Sequence, residues 1–125
     1  MSKARFCKVC GFEVSKHDPN FGPGDICMCC GSEEGFSDDI VYANINNLFT
    51  DSLLQEVGIT SDFIEKYLYE VMKLDGARKL LRLKWIRDGY KWRYESGRYK
   101  SESWDKEALR KQLLNINVAI EDYNI

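Results

Sequence analysis

Cys7-Lys8-Val9-Cys10-Gly11 and Cys27-Met28-Cys29-Cys30-Gly31 decide the reading of this chain. Framed on Cys27 and Cys30, the second run repeats the first as C-x-x-C-G. All five cysteines fall in the first 30 of 125 residues. The gap between the pairs, Gly11 to Ile26, suits a four-cysteine zinc site. Zinc takes four soft donors in a tetrahedron, and two residues between thiols let the chain turn so that both sulfurs face one ion. A glycine after the second cysteine removes the steric cost of positive φ where the turn closes. Cys7, Cys10, Cys27 and Cys30 are therefore the expected ligands of one structural Zn2+. Phe12-Glu13-Val14 reads as a short strand, and His17 to Gly24 as a long turn.

Other uses of the cysteines are weaker. A disulfide framework needs an oxidising compartment, and the charged start Met1-Ser2-Lys3-Ala4-Arg5 lacks the apolar run of a secretory signal. An odd cysteine count also opposes a complete framework. A thioredoxin-like pair would precede a helix, and neither pair does. Cys29 is a bystander, an alternative ligand or a reactive thiol, with the bystander role favoured. His17 is the single histidine and reads as a surface turn residue, because four cysteines already complete the shell.

Hydrophobic residues make up 44% and charged residues 30% of the chain, an ordinary globular mixture that excludes collagen-like, low-complexity and wholly disordered classes. No run approaches the ~18 apolar residues of a membrane span. A cytoplasmic protein is expected. The formal charge of −2 conceals a polarity. Residues 1–75 carry a net −7 and residues 76–100 a net +7. Such segments can satisfy each other or present a basic stripe to an acidic partner.

Beyond the cysteines the chain reads as helical. Ile40-Val41-Tyr42 reads as a short strand or as the exit from the ribbon. A helix is expected within Asn44–Val57, with Thr50-Asp51 as a cap and Gly58 as a stop. Thr60-Ser61-Asp62 starts another, its apolar face running from Phe63 to Leu74, and Asp75-Gly76 breaks it. A third covers about Ala77 to Asp88, closed by Gly89. Tyr90-Lys91-Trp92-Arg93-Tyr94 reads as a strand or an aromatic turn. Ser103 is expected to cap a last helix from Trp104 to about Ile116. The fold class is thus α+β: a four-cysteine zinc ribbon at 1–40 packed against a mainly helical part at 41–125, in one compact domain.

Trp85, Tyr90, Trp92, Tyr94 and Tyr99 interleave with Lys91, Arg93, Arg98 and Lys100. They could stack bases and neutralise phosphates. For the tryptophans, packing over the ribbon is the favoured role, because a small ribbon has little core of its own.

Cys7-x-x-Cys10-Gly11-Phe12, the run Pro23-Gly24-Asp25-Ile26-Cys27-Met28-Cys29-Cys30-Gly31 and Asp38-Asp39 resemble the bacterial cysteine-rich CPCC-type proteins. Lys84-Trp85-Ile86-Arg87-Asp88-Gly89-Tyr90-Lys91-Trp92 is similar to that family's helix ending in tryptophan and glycine, followed by a second tryptophan. Ser103-Trp104-Asp105 with Gln112-Leu113-Leu114-Asn115-Ile116 is similar to its closing helix. The resemblance covers about 5–40 and 80–117, with 41–76 as a helical insertion. The first pair lacks the cysteine doublet, which occurs only at Cys29-Cys30. The resemblance implies a zinc ribbon covered by tryptophans. Toxin neutralisation is associated with small bacterial proteins of this kind, and that association is no derivation.

The expected function is non-enzymatic. Four thiolates leave no open metal position, and Glu33, Glu34, Asp38 and Asp39 have no histidine beside them to make a catalytic set. An immunity-type protein that binds a toxin is the concrete expectation, since an acidic face suits a basic nuclease. A zinc-ribbon regulator binding nucleic acid through residues 78–100 is the alternative. Glu33, Glu34, Asp38, Asp39, Arg82, Arg87, Lys91 and Arg93 are the candidate partner-binding residues. No membrane or small-molecule substrate is expected.

Overall fold

The computed structural model describes residues 4–16, 18–93 and 104–125. His17, Tyr94, Arg98, Tyr99, Lys100 and Ser103, singled out above, lie outside the described residues. Among the described residues five α-helices occur in order: α1 Ile45–Leu48, α2 Asp51–Glu56, α3 Ser61–Lys66, α4 Leu74–Arg87 and α5 Lys106–Leu114. Single 3-10 turns lie at Val14–Lys16, Tyr42–Asn44 and Ile120–Tyr123. The described chain is mainly helical. Where an α+β ribbon was expected, no extended sheet forms among the described residues, only three isolated antiparallel bridges, Phe6↔Glu13, Ile26↔Glu33 and Val41↔Val71. The arms of the cysteine turns pair at single positions, and the first passes at once into the 3-10 turn Val14–Lys16.

α2, α3 and α5 each start at a side-chain cap, whereas α1 has none. Thr50 Oγ1 accepts from the Leu53 amide at 3.3 Å, and Thr60 Oγ1 from the Phe63 amide at 3.2 Å. Asp105, rather than Ser103, caps α5, its carboxylate accepting from Ala108 N at 2.9 Å. Helices this short are unstable alone and depend on packing. Leu53, Leu54 and Ile64 supply it from α2 and α3.

Two expectations fail between 62 and 76. The apolar face from Phe63 to Leu74 does not make one helix, because α3 ends at Lys66. The chain turns through Tyr67, Leu68 and Tyr69, and Val71 then pairs with Val41 through Tyr42 N→Glu70 O at 3.1 Å and Met72 N→Ile40 O at 2.7 Å. Phe63, Tyr67 and Tyr42 stack together, with Tyr42–Phe63 centroids 5.5 Å apart, so their periodicity reflects a local aromatic cluster. Asp75-Gly76 does not break the chain either. Both lie in the first turn of α4, where Asp75 complements the helix dipole.

α4 is the central element, burying Ala77, Leu80, Leu83, Trp85 and Ile86. Leu109 and Leu113 of α5 are fully buried beside it. The tryptophans close the core as expected. Trp85 Nε1 donates to Lys91 O at 3.0 Å, and Trp104 Nε1 to Tyr90 O at 2.8 Å. Trp92 lies edge-on to both Trp104, at 5.5 Å, and Phe12, at 5.1 Å. Phe12 belongs to the first cysteine turn, so this cluster joins the two ends of the chain. No helix among the described residues is long and apolar enough to cross a membrane.

Candidate metal centre

The two cysteine turns are built alike and repeat at an offset of twenty residues. In the first, Gly11 N donates to Cys7 O at 2.9 Å and Cys7 N to Phe12 O at 2.8 Å. In the second, Gly31 N donates to Cys27 O at 3.0 Å and Cys27 N to Ser32 O at 2.9 Å. The bridges Phe6↔Glu13 and Ile26↔Glu33 obey the same offset. Gly11 and Gly31 have φ of +83° and +80°, the left-handed geometry that closes each turn.

This repetition brings four sulfurs together. The ligand atoms of Cys7, Cys10, Cys27 and Cys30 all lie within 4.8 Å of one another. Cys7 Sγ is 3.6 Å from Cys30 Sγ, and Cys10 Sγ is 3.6 Å from Cys27 Sγ. A tetrahedron with metal–sulfur bonds of ~2.3 Å has edges of ~3.8 Å, so the spacing fits one ion. It is far from the ~2.05 Å of a disulfide, and all five cysteines are free thiols. The four residues can hold a metal ion.

The thiols also compete for charge. Hydrogen bonds from Cys10, Cys27 and Cys30 hold the Cys7 thiol far below its ordinary range. Burial pushes Cys10 well up, and the Cys10 thiol pushes Cys27 up. Four sulfurs this close cannot all ionise without a cation among them. Cys10 and Cys27 are fully buried, whereas Cys30 is half-buried. Cys29 is also fully buried, outside the four-sulfur group, and Gln112 Nε2 lies 3.4 Å from its sulfur.

α4 and α5 brace the first turn through residues that the spacing of cysteines did not reveal. Gln112 Nε2 donates to Cys10 O at 3.0 Å, and Asn115 Nδ2 to Gly11 O at 3.0 Å. Arg82 Nε donates to Val9 O at 2.6 Å and Arg82 Nη2 to Lys8 O at 2.9 Å. A signal for them did exist. Gln112 shares the Leu109–Leu113 stripe, and Arg82 stands three and four residues before the buried Trp85 and Ile86. A polar side chain on an apolar stripe has to find a buried partner.

The candidate partner-binding residues divide. Asp38 and Arg82 face inward: Asp38 Oδ2 lies 3.3 Å from Arg78 Nε, and Arg82 is only 9% exposed. Both are held by internal partners, so neither belongs to a docking surface. Arg87 is exposed but forks onto Glu56, with Nε 3.0 and 3.2 Å from its carboxylate oxygens, and holds that carboxyl below its usual range. Lys91, Arg93 and Asp39 are exposed, and Glu33 and Glu34 are half-buried. The structure gathers the four cysteines and buries two of these eight, Asp38 and Arg82. No family model, curated protein or solved structure matches the chain.

Proposed function

We propose that this chain is a non-enzymatic, zinc-stabilised interaction protein. The convergence of the four cysteine sulfurs carries the metal part of this reading. An all-sulfur tetrahedral donor set favours zinc, and four thiolates leave no position for water or substrate. Cys7, Cys10, Cys27 and Cys30 would hold the ion, which supplies folding energy rather than chemistry. The repeated turns would then form a ribbon-like module docked on α4 and α5.

The turn after Gly31 supports a protein partner. Phe36 N and Ser37 N both donate to Glu33 O, and Glu33 N donates to Ser37 Oγ at 2.9 Å, which fixes the loop. Phe36 stands 72% exposed at its tip, rimmed by Glu33, Glu34 and Asp39. A rigid aromatic anchor with an acidic rim suits an apolar pocket on a basic protein. An immunity-type bacterial protein that neutralises a toxin in the cytoplasm is the concrete form of this reading. Three arginines of the basic stretch, Arg78, Arg82 and Arg87, are held by partners within the chain, which weighs against nucleic acid as the partner.

The test is capture from bacterial lysate on the immobilised, zinc-loaded chain, with and without nuclease, alongside Phe36→Ser. The expected result is one protein in near-equal amount that survives nuclease and is lost with Phe36→Ser. Recovery that disappears with nuclease would overturn the protein-partner reading in favour of nucleic acid. Absence of zinc in the purified chain would overturn the metal reading.

A further inference from the structure

Arg82 is a buried cation that makes no ion pair among the described residues. Its Nε and Nη2 bond the carbonyls of Val9 and Lys8, and its Nη1 donates to the Tyr123 hydroxyl at 3.0 Å. Among the described residues no carboxylate makes an ion pair with it, whereas Arg78, Arg87 and Arg110 each have one. Guanidinium does not lose its proton in a protein, so the charge persists at every working pH. An uncompensated buried charge is strongly destabilising. Neutral carbonyls and a phenol satisfy the donors, but they do not cancel the charge.

We propose that Arg82 is the counter-cation of the metal centre. The proposal rests on the metal reading above. Lys8 and Val9, whose carbonyls Arg82 grips, are the two residues between the ligands Cys7 and Cys10. A divalent ion on four thiolates leaves the centre doubly negative. That charge lies beside Arg82 in surroundings that screen it weakly. At the second turn the matching carbonyl is bonded by the backbone amide of an arginine rather than by its guanidinium. Cys29 O, the counterpart of Val9 O at the twenty-residue offset, accepts from Arg93 N at 2.9 Å. The Arg93 side chain passes over Gly31, with Cδ 3.5 Å from where a Cβ would sit. One arginine thus attends each cysteine turn. Arg82 is a positioning and charge-balancing residue for the ion, not a ligand.

The test compares Arg82→Gln, Arg82→Lys and Tyr123→Phe in the full chain. Zinc affinity is read by competition with a chelator, and the sulfur-to-metal charge-transfer band is read with Co2+. Arg82→Gln is expected to weaken zinc binding roughly 10–100-fold, the range for outer-sphere partners of a metal site. Its cobalt band should move to longer wavelength, because the thiolate electrons lose a stabilising cation. Arg82→Lys keeps the charge and should stay within about 3-fold of the wild type, a margin well inside that range. Tyr123→Phe should lower the melting temperature while leaving affinity and band unchanged. Wild-type affinity and band in Arg82→Gln, with only stability reduced, would overturn the proposal. Should Arg82→Gln not fold, Arg82→Lys decides: a loss above about 10-fold would mean that charge is not what Arg82 contributes. A wild-type chain that takes up neither zinc nor cobalt would instead remove the metal reading on which the proposal stands.

Discussion

At the scale of single residues, the two glycines of the cysteine turns are alike in backbone and unlike in surroundings. A Cβ on Gly11 would lie 2.2 Å from Gln112 O, a backbone atom that cannot swing away. On Gly31 it would meet only the Arg93 side chain at 3.5 Å. Gly11→Ala should therefore cost about 3 kcal/mol or more, from strain together with displacement of α5. Gly31→Ala should cost about 1–2 kcal/mol, from backbone strain alone. Urea unfolding of both variants checks this, and equal losses would remove α5 from the account. Cys29 makes the complementary case. Its sulfur is buried and outside the four-sulfur group, so Cys29→Ser should retain a single zinc per chain by metal analysis. A fall to half or less would mean that the ligand frame is wrong.

At the scale of elements, α4 buries more residues than any other described helix, and its tryptophan links it to the segment that follows. Trp85 is 8% exposed and donates to Lys91 O, so it holds both the core and the turn after Gly89. Trp85→Ala should destabilise the protein by about 3–5 kcal/mol. A thermal or urea midpoint shift worth less than about 0.5 kcal/mol would place the ring on the surface and revive a stacking role. Helix starts were legible where a threonine stood before an apolar run, as at Thr50 and Thr60, because capping is a local interaction. The end of α3 was not. Phe63, Tyr67, Leu68, Val71 and Met72 fall at helical spacing, yet the pairing of Val71 with Val41 prevails thirty residues away in sequence.

At the scale of the whole molecule, the metal centre and the helices are one structure. Gln112, Asn115 and Arg82 all bond carbonyls of the first cysteine turn, so the chain's two ends meet at the four-cysteine cluster. Chelation at neutral pH should loosen the first forty residues and also raise amide exchange in α5, because ligation and folding are coupled. Unchanged circular dichroism and melting after complete metal removal would refute a structural site. Acid should act in the same direction. Ligand sulfurs are thiolates in the loaded fold, whereas cysteines in the unfolded chain hold their protons up to pH ~8.5. The unfolded state therefore binds more protons, and stability falls as pH falls. Zinc release should increase steadily from pH 8 to about pH 5, followed with a chromophoric zinc indicator.

By itself the sequence determined which four cysteines come together, the glycine that closes each turn, and the tryptophan cover. Each of these depends on neighbours a few residues apart or on strong burial preference. The tertiary structure alone decided the charges. Asp38 and Arg82 look like surface residues in a list of charged positions, and both turn inward, one to Arg78 and the other to the backbone between two cysteines. Their partners lie forty and more than seventy residues away. No local pattern encodes a pairing across that distance. It is fixed when α4 packs on the cysteine turns and the buried groups must find the donors and acceptors left within reach.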